Sequence, residues 1–535
     1  MFRSPSSMTF IPARLFLALL CSLVISAVAF AQDEQNAPSE SKAPAVDWVA
    51  VESTGTLSGI KQGGFEKTLW QGQSRTDIEH LIQKLPTTQP VRAILELQRR
   101  VLLSKADSAL INNDVGPLRG NDLLIQRINK LMAMGLYDDA WALYTQKAED
   151  PYDVSIAERG MVLLVMRGDM ATACLEEKVF AKRYPQDKFF ATLDKACAVT
   201  LGSASNAQFA DSAVLQSIYN NAGYSVSAAN PDALIKMNDL ERAMALSNGK
   251  IRYDGLGREV AGKTPSALLG LYLMDKNLPE AAKAVIKAET DSRNLSWHIH
   301  AVAQDPVWKK AKDVGKDKEA QWPIVESALA GKRPPAELHA FANFAADAEP
   351  TNLSTETVVR VLGVLLAQNK ALPDFWLEEA QKRAAQNPLI YIYLQGFKSF
   401  TATEGIDVKP EAFQAALSRL KPADADQILA IIETLDRKSG LLDKPLKAYE
   451  KHSVLTLENN YVMPTLGLNL LMEKGPEQKH IGITVLAVLN SLAAQPDNMY
   501  SGTVRKALYG LLEIGLIEDA KLIGSEIVST VLNKY

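Results

Sequence analysis

Apolar residues recur at helical spacing along most of this chain, and short polar or proline-containing breaks separate the helical stretches. In the first half, the spacing predicts helices over 75–84, 88–106, 121–134, 136–149, 153–167, 169–183, 187–201 and 205–221. No stretch shows a βαβ-type strand pattern, and only residues 48–70 alternate weakly. The pattern therefore predicts an all-α protein without a substantial β-sheet.

The helical pattern loosens after Gly223 and becomes regular again from Thr355 to the end. Between them we expect one helix over 231–247, an irregular stretch over 249–262, and a helical hairpin formed by 264–275 and 279–288. These changes divide the chain into an N-terminal helical region (48–223), a middle irregular helical region (224–350) and C-terminal helical hairpins (351–535).

A repeat with a period of about 34 residues organises the N-terminal region. Gly135, Gly168 and Gly202 follow this period, and each is followed five residues later by an alanine, namely Ala140, Ala173 and Ala207. Pro151 and Pro185 have the same spacing, and the Gly-to-Ala step recurs at Gly515 and Ala520. This period is typical of stacked antiparallel helical hairpins.

Each residue type of the repeat has a physical reason for its place. Glycine suits the position just after a helix, where the chain adopts a positive φ to stop. An alanine in the middle of a hairpin lets two helices pack closely, and a proline ends the second helix, because helices rarely include the residue before proline. We expect Asn277, with Ala282 five residues later, to be an asparagine variant of the same turn.

The arrangement resembles the tetratricopeptide repeat (TPR) family. Gly135 is followed by Tyr137, Ala140, Tyr144 and Pro151, as in that family's glycine, alanine, aromatic and proline positions. The match extends over roughly a hundred residues, with a period of ~34 residues, and is lost beyond them. The resemblance implies a TPR-like, right-handed α-solenoid that holds other proteins or peptides on a concave surface.

The beginning of the chain, up to Ala31, has the organisation of a secretory signal peptide. Arg3 and Arg14 form a basic start, Leu15 to Val28 is apolar, and Ala29-Phe-Ala31 is a small-residue cleavage site. The apolar run is short for a membrane span, and no later stretch is long enough for one. We therefore expect a periplasmic protein with a cleaved signal peptide (1–31) and a flexible polar leader (32–47).

Charge and composition narrow the classes of partner. The segment 1–31 holds two arginines and no acidic residue, so its removal takes the 58 basic residues to 56, against 62 acidic residues. This mild acidity is spread along the chain and argues against a nucleic-acid partner. Apolar residues make up 47% of the chain, which is ordinary for a folded protein.

Two cysteines remain after the predicted cleavage site. Cys174 and Cys197 lie at nearly equal distances along the chain on either side of Pro185. In an antiparallel helix pair that turns at Pro185, the two positions stand at nearly the same height. In an exported protein this predicts a disulfide, and the alternative is a pair of buried free thiols.

One segment matches a phosphate-binding pattern. Gly257 to Thr264 fits G-x-x-x-x-G-K-[ST], the P-loop. The segment before it is a poor buried strand, and Pro265 follows directly, which favours Thr264 as an N-cap with proline at the first helical position. We therefore expect no nucleotide site.

Other catalytic or metal-binding patterns are weak. His298 and His300 are the only close histidine pair, and residues two apart do not share a helical face. The six histidines of the chain include no third ligand near this pair, so neither a metal nor a cofactor is expected. The sequence holds no nucleophile motif in a credible setting, and its C-terminal part offers no α+β unit of the lysozyme kind.

These observations favour a non-enzymatic interaction scaffold or adaptor of the bacterial cell envelope, with envelope proteins or peptides as partners. The alternative is an enzyme or regulator acting on cell-wall peptidoglycan, with carboxylates in the concave groove. A pocket with two facing carboxylates would favour the enzyme, and a broad groove with mixed polar and aromatic residues would favour the scaffold. A third alternative is a purely structural solenoid.

Overall fold

A computed structural model describes residues 48–89, 91–114, 123–146, 153–293, 318–330, 344–401, 403–436, 464–493 and 499–535. The predicted signal peptide and leader lie outside these residues, as do Pro151, His298 and His300. Within the described ranges, no helix combines the length and the apolarity that a membrane span requires.

The all-α prediction is confirmed. In the described part of the chain, the only sheet is a two-residue parallel pair, β1 (Val226–Ser227) and β2 (Ile251–Arg252). The helices before β1 are α1 (Trp48–Glu52), α2 (Arg75–Lys84), α3 (Arg92–Leu103), α4 (Leu123–Ala133), α5 (Tyr137–Thr145), α6 (Val154–Met166), α7 (Met170–Arg183), α8 (Lys188–Thr200) and α9 (Ala213–Asn220).

The middle and C-terminal parts are also helical. The middle part holds α10 (Asp232–Lys236), α11 (Asp239–Ser247), α12 (Arg258–Lys263), α13 (Ser266–Leu273), α14 (Glu280–Ser292) and α15 (Lys318–Ala330). The C-terminal part holds α16 (Thr355–Ala367), α17 (Asp374–Arg383), α18 (Leu389–Phe400), α19 (Pro410–Leu417), α20 (Pro422–Asp436), α21 (Leu466–Glu477), α22 (Ile481–Ser491), α23 (Ser501–Glu513) and α24 (Ile517–Leu532).

Neighbouring helices pack as hairpins, as the repeat predicts. α4 packs against α5, α6 against α7, and α23 against α24. The glycines between these helices have positive φ (Gly135 79°, Gly168 74°, Gly515 85°), and the alanines five residues later are fully buried. The arrangement is that of packed helical hairpins, compatible with a helical-repeat solenoid.

Two details of the expected repeat are wrong. Gly202 has the predicted positive φ of 72°, but Ala207 lies in an irregular segment, because Ser212 caps α9 and the helix begins only at Ala213. Asn277 does not have positive φ. The Asp275 carboxylate instead accepts a hydrogen bond from the Asn277 N–H at 2.8 Å, so an aspartate turn ends this helical segment.

The middle region also departs from the sequence expectation. Instead of one helix over 231–247 there are two, because Asn238 and Glu241 form a reciprocal capping box that starts α11. The P-loop match is helical from Arg258, which leaves no phosphate-cradling loop. Thr264 is not an N-cap, since its hydroxyl donates to the Val260 carbonyl at 2.8 Å.

A pair of glycines brings α13 against the turn between α4 and α5. A Cβ added at Gly270 would lie 2.3 Å from the Gly135 carbonyl oxygen, so only glycine allows this approach. The Tyr137 hydroxyl donates to the Ala267 carbonyl beside the contact, at 3.0 Å. The middle region is thereby fixed to the first hairpin.

The two ends of the described chain pack against each other. α2 contacts α22, and α3 contacts both α22 and α24. The Gly482 N–H donates to the Leu69 carbonyl at 3.0 Å, and the Ile483 N–H donates to Gln73 Oε1 at 2.5 Å. We call this contact between the first and last helices the seam.

The expected disulfide lies between α7 and α8. These helices pack against each other, and Cys174 and Cys197 form a disulfide with their Cα atoms 5.5 Å apart. Both residues are buried. The proposed helix pair with its turn at Pro185 is therefore confirmed.

Replacing both Cys174 and Cys197 with serine should lower the free energy of unfolding by about 3 kcal/mol, because the bond closes a loop with a sequence separation of 23. Urea unfolding without reductant measures the difference, and wild-type protein with reductant should follow the double variant. Equal midpoints for wild type and variant, or labelling of both thiols in the native protein, would show that the bond does not form.

Candidate functional site

The beginnings of several helices converge on a cleft of about 340 Å³. We call it the α8 cleft, because α8 supplies its most exposed cations. Its lining comes from α6, α8, the start of α9 and the start of α11: Glu158, Arg159, Val162, Lys188, Phe189, Thr192, Lys195, Phe209, Ala210, Asp211, Ser212, Leu215, Asn238, Asp239 and Leu240.

Local capping fixes the helix beginnings around the cleft. Asp187 caps α8 by accepting from the Phe189 N–H at 2.8 Å, and Asn238 caps α11 within its capping box. Ser212 caps α9 and donates its hydroxyl proton to Glu241 of that capping box at 2.5 Å. The Ser212–Glu241 bond therefore ties the start of α9 to the start of α11.

An ion-pair cluster forms the wall between α6 and α11. Arg159 of α6 and Arg242 of α11 each bind one oxygen of the Asp239 carboxylate. Burial acts to raise the pKa of Asp239, but the two arginines outweigh it and hold the pKa below the usual range. Asp239 is therefore a permanently charged structural link between the two helices at neutral pH.

Two lysines give the cleft its available positive charge. Lys188 and Lys195 lie seven residues apart on one face of α8, and neither forms an ion pair with the described residues. Carboxylates already lie at the beginnings of α8 (Asp187) and α11 (Asp239 and Glu241), whereas α9 begins at the cleft with an uncharged cap, Ser212. The two lysines can therefore bind an anionic group, beside one exposed carboxylate of the same lining, Asp211.

Glu158 faces the same cleft from α6. Burial, reinforced by the carboxylates of Asp187 and Asp153, raises the pKa of Glu158, while Arg159 opposes the rise. Phe189, Phe209 and Leu215 add apolar surface next to the charged groups.

The residues singled out by sequence do not line this cleft. The repeat glycines and alanines shape the helix turns, and Cys174 and Cys197 join α7 to α8. Lys188 and Lys195 were not identified from sequence. The available signal was their seven-residue spacing on a predicted helix, which many solvated helix faces share.

Within the part of the chain that the structure describes, no group of three or more His, Cys, Asp or Glu side chains is arranged to hold a metal ion. Comparison of the chain with protein-family models, curated protein sequences and solved structures gives no significant match.

Proposed function

We propose that this protein is an exported, TPR-like interaction scaffold of the bacterial cell envelope. The α8 cleft binds an acidic peptide segment of another envelope protein. The protein acts by binding and has no catalytic activity of its own.

The observation that carries this proposal is the pairing pattern of the cleft's charges. Arg159 is engaged by Asp239, whereas Lys188 and Lys195 have no ion-pair partner among the described residues. A carboxylate of a ligand would pair with these two lysines. An approaching acidic segment would also be steered toward this cation pair.

The mixed polar and apolar lining supports a peptide as the molecule that contributes the acidic group. Phe189, Phe209 and Leu215 offer apolar contact for side chains that flank an acidic residue, and Asn238 and Thr192 line the same space. Mixed polar and aromatic linings of this kind are typical of peptide grooves. The TPR resemblance supports the binding of proteins or peptides, and the signal-peptide pattern of residues 1–31 supports an envelope location.

Reversing one cleft charge should weaken partner binding about tenfold. Lys195→Glu replaces an attraction with a repulsion at the proposed anion position, and a tenfold loss corresponds to about 1.4 kcal/mol. In-cell crosslinking of the tagged protein, affinity purification and quantitative mass spectrometry measure the captured partner.

The matched control is Lys182→Glu, which reverses an exposed charge on α7 outside the cleft. It should leave partner recovery within twofold of wild type. If both variants lose the partner equally, or neither does, the α8 cleft is not the binding surface.

The alternative function is action on peptidoglycan. It is favoured by one observation, namely that Glu158 and Asp239 share a cleft and have pKa values shifted in opposite directions. Both oxygens of Asp239 are held by arginines, however, which leaves neither oxygen free for chemistry. Release of soluble fragments from isolated murein by wild type, but not by Glu158→Gln, would replace the scaffold with this enzyme.

A further inference from the structure

A second cleft of about 590 Å³ lies at the seam. One wall comes from the N-terminal part of the chain and the other from the C-terminal part, and we call it the seam cleft. Its lining is largely aliphatic and aromatic, and includes Phe65, Leu69, Ile481, Leu516, Ile517 and Leu522. Its size and apolar lining are those of small-molecule sites, which usually carry a few placed polar groups.

The charged groups of the seam cleft are mostly acidic. Glu66, Glu96, Glu518 and Asp519 line it together with a single cation, Arg100. Asp519 binds Arg100, and Glu518 pairs with Lys521 of its own helix. Glu66 and Glu96 form no ion pair with described residues and remain available to a ligand.

The positive charge of Arg100 is not available to a ligand, because its guanidinium group is already bound by groups of the cleft wall. Its guanidinium stacks over the Phe65 ring at 5.3 Å from the ring centre and donates to the Gly63 carbonyl at 2.6 Å. With Asp519 as its ion-pair partner, Arg100 is part of the wall. The potential inside the cleft is therefore set by Glu66 and Glu96.

We propose that the seam cleft binds a small amphipathic cation, an alkyl chain that carries an ammonium group. The alkyl chain packs against the aliphatic lining, and the ammonium group lies between Glu66 and Glu96 at the rim. An alkyl anion of the same length would meet two unpaired carboxylates and bind more weakly. Because the ligand contacts both walls, its binding also holds the two ends of the chain together.

The test uses three ligands with the same eight-carbon chain: octylammonium, octanoate and octyl glucoside. Isothermal titration calorimetry with the full-length protein at pH 7 should give saturable 1:1 binding of octylammonium, at least tenfold tighter than octanoate. Octyl glucoside should bind with an affinity between those of octylammonium and octanoate. Methylammonium, which lacks the eight-carbon chain, should show no binding. At equal concentration, octylammonium should raise the melting temperature more than octyl glucoside or octanoate does.

A charge-reversed variant makes the test specific to this cleft. Glu66→Lys combined with Glu96→Lys changes two exposed residues at the rim, so the fold should be retained. This double variant should bind octanoate more tightly than octylammonium. Glu513→Lys, an exposed residue of α23 outside the lining, should keep the wild-type order. Equal affinity of wild type for the two ions, non-saturable binding, or the same loss in the Glu513→Lys variant would overturn the proposal. The α8 cleft is not involved in any of these outcomes.

Discussion

Replacing Glu526 with alanine is expected to lower the free energy of unfolding by about 3 kcal/mol, because it leaves one buried and one partly buried backbone donor without an acceptor. Glu526 lies on α24, and its carboxylate accepts from the N–H groups of Arg92 and Ala93 at 2.7 Å and 2.9 Å. Val91, the residue before α3, provides no side-chain cap. The last helix of the chain therefore caps the third.

Chemical unfolding followed by circular dichroism measures this change. Glu518→Ala is the matched control, because Glu518 is an exposed glutamate of the same helix and its variant should stay within about 0.5 kcal/mol of wild type. Hydrogen exchange adds a local readout, since the first amides of α3 should lose protection in Glu526→Ala alone. Unchanged protection at Arg92 and Ala93 would contradict the capping role.

The same carboxyl makes the seam sensitive to pH. Burial raises the pKa of Glu526 from 4.5 to about 7, although the two N–H groups and Arg92 oppose the rise. A raised pKa means that the folded state binds the proton more tightly than the unfolded state does. The stabilisation from this proton is full below pH 4.5 and disappears as the pH rises through about 7, by about 1.4 kcal/mol per unit.

Glu526→Gln isolates this effect, because glutamine has nearly the same shape and does not titrate. Between pH 5 and pH 8, wild type should lose up to about 3 kcal/mol more stability than the glutamine variant. Parallel pH profiles for the two proteins would show that Glu526 keeps an ordinary pKa and that the helix N-terminus, not burial, dominates its surroundings.

The hairpins were predictable because their determinants are local. A glycine that must adopt positive φ and an alanine five residues later both act close together in sequence, as at Gly168 and Ala173. The prediction failed where a capping side chain intervened, as at Asn238, whose capping box divides a continuous apolar pattern into two helices. Composition alone does not show which polar residue will cap.

The seam was not predictable, because its determinants come from opposite ends of the described chain: Glu526 and Arg92 have a sequence separation of 434. In sequence, Glu526 has the appearance of an ordinary solvated helix residue, and so does Glu177. Both are buried, and burial is the main reason that the pKa of Glu177 rises to about 7. Which helix covers a charged side chain is a property of tertiary packing, and the local sequence around that side chain carries no record of it.

The α8 cleft lies between these two cases. Its helix caps at Asp187 and Ser212 are of a type that local sequence favours, whereas the convergence of α6, α8, α9 and α11 is a tertiary feature. Lys188 and Lys195 gain significance only once the position of the Arg159–Asp239 pair is known. Sequence therefore indicates caps of this type and not which residues converge at the cleft.

Adding one methyl group at Gly270 should destabilise the protein by about 3 kcal/mol or more, in the range of overpacked cores. The new Cβ would lie 2.3 Å from the carbonyl oxygen of Gly135 and 2.6 Å from its Cα. Both atoms belong to backbone that the first hairpin holds in place, so the clash cannot be relieved by a side-chain rotation. Relief requires α13 to move away from the turn between α4 and α5.

Gly510→Ala is the matched control, and it should change the free energy of unfolding in the opposite direction. Gly510 also lies within a helix, α23, but a Cβ there would meet its nearest atom at 3.4 Å, an ordinary contact. Alanine is favoured over glycine inside a helix by up to about 1 kcal/mol, so this variant should gain stability. Thermal and urea unfolding should therefore show that Gly270→Ala is less stable than wild type and that Gly510→Ala is at least as stable as wild type. A loss of similar size in both would mean that helix glycines matter here for a reason other than the contact between Gly135 and Gly270.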